Sequence, residues 1–204
     1  MTTKRNTTKK RESILDGACQ AFMEEGYDHT SMDRIADIAG ASKRTVYNHF
    51  PSKEALFKAV LGRMMAQAMA LKQISYDPDR SLEAQLENFA DAKMEFIKNP
   101  AWLGLLKVTI TVFISNPGLA RETMKFTEDS EDTLAAWLAA AHDQGRLNVP
   151  SPALAAEAFW AMMGGAFILP VIFRGPMDAG EAREMKKELI AMFLARYTPG
   201  KQAR

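Results

Sequence analysis

The sequence predicts an all-α protein, a head of short helices followed by a longer helical body, with about nine helices in all. Three observations predict it. Apolar residues recur at three- and four-residue spacing along the whole chain. No run alternates apolar and polar strictly enough for a strand. At Asp77-Pro78, Asn99-Pro100, Asn116-Pro117 and Ser151-Pro152 a capping side chain precedes a proline, which suits a first helical turn because its missing N–H is not needed there.

Each element follows in order. Residues 1–9 are polar, basic and rich in Thr, and are expected to form a flexible arm. A first helix is expected over about 10–25, with Ile14, Ala18 and Phe22 on one face and Gly26 as its stop. Thr30 and Ser31 stand where a cap belongs, ahead of a helix over about 32–39 that turns Ile35 and Ile38 inward. Gly40 ends it by permitting a left-handed backbone. Ser42 caps a third helix over about 43–49, and Pro51-Ser52 restarts the chain into a fourth that carries Leu56, Phe57, Val60, Leu61 and Met64. The body is expected as helices over about 79–98, 101–114, 118–144, 152–173 and 179–197, the last begun by Asp178 with Glu181 as a capping box. The expected division is a helix-turn-helix domain over 10–60 and a body over 61–204.

Charge narrows the function. Lys and Arg number 26 against 25 acids, a net charge of +1, which excludes a uniformly basic nucleic-acid coat and an acidic disordered tail. The charges are segregated. Residues 1–11 hold five cations and no acid, residues 12–37 hold seven acids and one Arg, and residues 38–53 hold three cations and no acid. With 47% apolar residues the chain can bury a sizeable core. Cys19 stands alone and reads as a small core residue, so a reducing, cytoplasmic setting is expected. The basic start leads into no apolar segment, so no secretory signal is expected. His29 and His142 have no ligand-type neighbours at metal spacing, and no nucleophile elbow or phosphate loop is visible. Neither catalysis, cofactor nor metal is expected.

The strongest signal is residues 30–53. A short helix, a Gly-containing turn and a second short helix make a helix-turn-helix. Ala36 and Ala39 are small enough for a close helix crossing, and Ile35, Ile38, Val46 and Phe50 supply the faces that lock it. The opposite side of the third helix presents Lys43, Arg44, Thr45, Tyr47, Asn48 and His49, which are donors, acceptors and rings on an element narrow enough for a major groove. Ser42 and Ser52 open helices where a phosphate can sit, and Lys53 adds a cation just beyond. Thr30 and Ser31, at the start of the motif, complete the set expected to contact DNA. The basic arm is a further candidate for tracking phosphates or a minor groove.

This segment resembles the TetR family of bacterial transcriptional regulators. The runs Ile-Ala-Asp-Ile-Ala-Gly-Ala-Ser (35–42) and Thr-Val-Tyr-Asn-His-Phe-Pro-Ser-Lys-Glu-Ala-Leu-Phe (45–57) carry the resemblance, which covers about residues 10–60. It implies a three-helix DNA-binding head on an all-helical body for ligand binding and dimerisation. It also implies phosphate contacts by Thr45, Tyr47, His49 and Lys53, and base reading by Lys43, Arg44 and Asn48. The body is similar to the subgroup with an AefR-type C-terminal domain.

In the body, residues 158–173 carry no charge. They fall short of the ~20 that span a bilayer and include Gly164-Gly165 and Pro170, so no membrane partner is expected. A helix apolar all round is instead expected to be covered on both sides. Trp160 and Gly164, with Met185, Leu189, Met192 and Phe193 of the last helix, are the expected homodimer contacts. Phe89, Trp102, Leu106, Ile110, Phe113, Trp137, Phe159, Met163 and Phe167 are the expected lining of a cavity for an apolar or aromatic effector, with Asp91, Glu95, Lys107 and Glu157 as available polar anchors. The function expected is a ligand-responsive regulator, a repressor that binds a near-palindromic operator as a dimer. Its alternatives are an activator of the same family, a helical protein-interaction module, and an enzyme acting on an apolar small molecule.

Overall fold

The structure is a computed structural model that describes residues 2–70, 74–128 and 133–199, and every regular element among the described residues is helical. In chain order these are α1 (Thr2–His29), α2 (Met32–Ile38), α3 (Lys43–His49), α4 (Lys53–Ala70), α5 (Leu82–Lys98), α6 (Pro100–Ser115), α7 (Pro117–Glu128), α8 (Thr133–Asp143), α9 (Pro152–Met163), a π turn (Gly164–Ile168), α10 (Leu169–Arg174) and α11 (Ala179–Tyr197). They form two compact units, Met1–Met69 with Pro100–Asp129, and Ala70–Asn99 with Ser130–Arg204. The expected single boundary near residue 60 is replaced by one in which α6 and α7 belong with the head.

In the first unit α1 is helical from Thr2, where a flexible arm is expected; the stretch holds no Pro or Gly, and Lys and Arg are good helix formers. Gly26 breaks the helix as expected, at φ +78°, a conformation that costs Gly little. The core joins Ile14, Leu15 and Phe22 of α1 to Ile35, Val46, Phe57 and Leu61, and α6 and α7 add Leu105, Val112 and Leu119. Those last three place α6 and α7 in this unit. Phe22 meets Phe57 edge-on at 5.4 Å, a favoured aromatic geometry. Where α1 crosses α2, a Cβ on Gly17 would lie 3.1 Å from Ala39 N and 3.2 Å from Ala39 Cβ, a tight approach at which Ala39 would have to give by a few tenths of an ångström. The Ser13 hydroxyl donates to Ala39 O at 2.9 Å and Lys10 Nζ to Gly40 O at 2.6 Å, so α1 also supplies donors for the free carbonyls at the end of α2.

In the second unit Trp137 is the hub. Its Nε1 donates to Gln85 Oε1 at 2.9 Å, and the same buried amide bonds Asp77 N at 2.8 Å and donates to Asp77 O at 2.9 Å. Asp77-Pro78 therefore forms a turn bound to α5, and α5 begins at Ser81, whose side chain accepts from Ala84 N. Asn116 and Asp178 cap α7 and α11 as expected, accepting from Leu119 N and Gly180 N. The single helix expected over 118–144 is instead described as α7 and α8, and residues 129–132 lie outside the described residues.

Pro152–Arg174 runs 23 residues and is long and apolar enough, by length and composition, to cross a membrane. One face of it, Ala155, Phe159, Met163 and Phe167, is buried in the core of this unit beside Phe89, Ile190 and Phe193. The π turn at Gly164–Ile168 inserts a residue into the helical phase ahead of Pro170. That widened turn relieves the clash a proline ring makes with the preceding turn of an α-helix.

Candidate nucleic-acid interface

The site is built on α3. Ser42 is its N-cap, accepting from Thr45 N at 3.2 Å, and its Oγ lies 2.8 Å from Thr45 Oγ1. Ser31 caps α2 in the same way, through Arg34 N at 3.1 Å. Val46 and Phe50 are buried, which fixes the rotation of α3 and sends Lys43, Arg44, Tyr47 and Asn48 outward. These four share one exposed face at i, i+1, i+4 and i+5, with Tyr47 44% exposed. Arg44 and Asn48 make no hydrogen bond or ion pair among the described residues, so their donors are open to a partner. Thr45 and His49 are half-buried at its edges. Lys43 Nζ pairs with Asp33 across the turn at 2.9 Å, and this hydrogen bond raises the ammonium pKa above its usual value. Both partners are well exposed, so opening the pair costs little.

Two residues of the expected contact set have other work. Thr30 is buried, and its hydroxyl shares its proton between Gly26 O at 2.6 Å and Ala21 O at 3.1 Å, closing the break in α1. Lys53 Nζ donates to Tyr27 O at 2.7 Å, Thr30 O at 3.0 Å and Asp28 O at 3.1 Å, and sits 4.5 Å from the Tyr27 ring centroid. All three of its donors are committed to the carbonyl end of α1, which a cation favours. Both residues hold the head together here. Ser52 accepts from Ala55 N and starts α4. Arg11, from the basic stretch, lies 5.2 Å from the Phe50 ring centroid.

The expected effector lining is divided. Trp102, Leu106, Ile110 and Phe113 lie on α6 in the first unit, all half-buried. Phe89, Trp137, Phe159, Met163 and Phe167 lie in the second unit and are buried. Trp137 stacks edge-on with Phe89 at 6.0 Å and Phe159 with Phe193 at 5.2 Å, so these rings form packed core. A groove of about 420 Å³ does exist in the second unit. Of the nine expected residues only Phe167 lines it; Met94, Val171, Met177 and Arg183 are lining residues that the sequence reading does not find. Asp91, expected as a polar anchor, is at its rim.

The expected dimer contacts also separate. Met185 and Met192 are exposed and Leu189 is half-buried, but Phe193 is only 3% exposed and belongs to the core. Trp160 is half-buried among Phe89, Phe159 and the Lys93 ammonium. The exposed stripe is Leu154, Ala158, Ala161, Gly165, Leu169 and Phe173, next in phase to the Trp160–Gly164 pair. The π turn carries the stripe past the point where a regular 3.6-residue count would turn it away.

Residues 14–60 match the family model for bacterial regulatory proteins, tetR family, and residues 84–199 match that of the AefR-like transcriptional repressor C-terminal domain. A TetR family transcriptional regulator from Pseudomonas syringae pv. tomato str. DC3000 is 33% identical, with a TM-score of 0.75 over 93% of this chain and 97% of that one. The flavonoid-responsive regulator FrrA is 26% identical, with a TM-score of 0.75 over 95% and 99% of the two chains. The HTH-type transcriptional activator FasR of Mycolicibacterium smegmatis is 30% identical over 62% of this chain and 57% of the relative. The chain spans 57% and 62% of the length of the first curated relatives that it matches.

Proposed function

The chain belongs to the TetR family of bacterial transcriptional regulators, and from that premise we propose that it is a ligand-responsive repressor that binds a near-palindromic operator as a homodimer. The observation that carries the DNA reading is the outward face of α3, where Arg44, Tyr47 and Asn48 stand exposed with none of their side chains in a hydrogen bond among the described residues. Arg and Asn are the side chains that pair bidentately with guanine and adenine in the major groove. In this reading Lys43 leaves Asp33 for DNA, Ser31, Ser42, Thr45 and His49 border the phosphates, and Lys53 and Thr30 position the motif from behind. Two such helices, one per protomer, would read half-sites about one helical turn apart.

The exposed stripe of α9 and α10, with Met185 and Met192 of α11, supports the homodimer. Phe173 is 77% exposed and Leu154 63%, and rows of large apolar residues left in water mark interaction surfaces. The similarity of residues 84–199 to a repressor's C-terminal domain favours repression. An effector that prefers one spacing of the two heads by ~1–3 kcal/mol would change operator affinity roughly 5–150-fold. The flavonoid response in FrrA's name is the kind of regulation proposed here, without its ligand. The activity is binding alone, in the compartment that holds bacterial DNA, the cytoplasm.

Selecting bound fragments from a pool of random duplexes with the purified protein tests the proposal. Enrichment of an inverted repeat is the expected result. An unenriched pool, with binding independent of sequence, would overturn it.

A further inference from the structure

We propose that the groove between α5, the π turn with α10, and the start of α11 is a binding site for an amphipathic monoanion, a carboxylate on an aliphatic chain, anchored by Arg183. The inference rests on the regulatory reading only for its consequence on DNA; the site itself is argued from its own lining.

The volume of about 420 Å³ lies in the range of ligand pockets, ~300–1,000 Å³. The floor is apolar and deformable, formed by Met94, Ile97, Phe167, Val171 and Met177. Methionine side chains adapt their shape to flexible ligands, so an aliphatic tail is matched better than a rigid polar one.

The rim decides the sign of the head group. It carries Asp91, Lys98, Arg183 and Lys186, three cations to one acid. Lys186 Nζ is bonded to Asp91 at 2.7 Å and its side chain is 13% exposed, so this pair is closed and joins α11 to α5. Lys98 is bonded to Glu95 one turn earlier, with both side chains about 70% exposed, an exposed pair that holds it loosely. Arg183 stands one turn before Lys186 and makes no hydrogen bond or ion pair among the described residues. What the rim leaves unmatched is therefore a guanidinium, whose planar fork suits a carboxylate. A cationic ligand would find its only acid already taken by Lys186.

The groove also touches the least regular part of its helix. Phe167 lies inside the π turn and Val171 just beyond Pro170, and such turns occur often where helices serve function. The same helix segment sends Leu169 and Phe173 outward on the proposed dimer face. A tail lying on Phe167 and Val171 thus bears on the helix that would set the spacing of two protomers.

The test uses the full-length protein with decanoate, decanol and decyltrimethylammonium as probes, below their micelle concentrations, by calorimetric titration and by operator release. Decanoate is expected to bind, and decanol and the cation at least about tenfold more weakly. Arg183→Gln is expected to lower decanoate affinity about tenfold or more and leave decanol unchanged, with the melting temperature of the unliganded protein unmoved because the side chain is exposed. Val171→Trp, which fills the floor, is expected to weaken decanoate and decanol together. No decanoate binding, equal binding of decanol, or an unchanged Arg183→Gln variant would each overturn the site. Arg183-dependent binding without any change in operator affinity would uphold the site and overturn its regulatory role alone.

Discussion

Lys53→Met is expected to destabilise the head, because it removes the ammonium and keeps most of the stem. Two of the three bonds it deletes, to Tyr27 O and Thr30 O, are partly buried, while the Asp28 carbonyl is exposed and can recover water. At ~1–1.5 kcal/mol for each partly buried bond, the two bonds alone come to about 2–3 kcal/mol, before the Tyr27 ring contact is counted. For a chain of 204 residues that is a fall in melting temperature of about 4–12 °C. Urea unfolding at fixed protein concentration measures it, and Lys53→Arg should recover part of the loss. The same variant measures the alternative role. A lysine that neutralises one phosphate contributes about −0.9 to the slope of log affinity against log salt. Lys53→Met should leave that slope unchanged at a temperature where the head stays folded. An unaltered unfolding curve with a shallower salt slope would refute the clamp and restore Lys53 to the phosphate set.

Four further outcomes are expected. Gly17→Ala should lower stability by about 1 kcal/mol, since crowding against the Ala39 backbone, ~1–3 kcal/mol, outweighs the ~1 kcal/mol gained in helix propensity; a raised melting temperature would contradict the close crossing. Phe173→Glu should convert a dimer into a 22.7 kDa monomer in light scattering, with the helical circular dichroism kept. Tyr47→Ala should weaken operator binding in a mobility-shift assay without changing the unfolding midpoint. Asp178 is held below its ordinary pKa by hydrogen bonds from Gly180 N and Glu181 N. A lowered folded pKa gives stability that is complete above the unfolded value of 3.8 and lost as pH falls through the folded one, so α11 should loosen only in that acid window. Asp178→Asn should remove this part of the pH dependence in an acid titration followed by circular dichroism.

The head was legible in the sequence because its signals are local. Ser31, Ser42 and Gly40 act within three residues of where they stand, so caps, turn and the outward face of α3 follow from short-range pattern. Lys53 and Thr30 were not, because their partners lie four to 26 residues back along the chain, across the break at Gly26 and on a separate helix from Lys53. The division of the chain was hidden for the same reason, since Leu105, Val112 and Leu119 look like any helical stripe until their packing partners are known. The exposed stripe of α9 and α10 lies one residue along from Trp160 and Gly164, because residues 158–173 carry no charge and so no pattern that says which face is left in water. Aromatic and methionine residues at helical spacing marked core at Trp137 and Phe159, while the groove takes its character from Arg183, one charge among many on an exposed helix.

The central claim is that the outward face of α3 reads DNA, and titration of the selected operator duplex with wild type and Arg44→Ala by fluorescence polarisation tests it most directly. The account predicts tight binding that falls steeply with salt. It also predicts that Arg44→Ala loses about 1–3 kcal/mol and relaxes discrimination at one base pair of each half-site. Equal affinity of the wild-type protein for the selected duplex and for a scrambled one would contradict it.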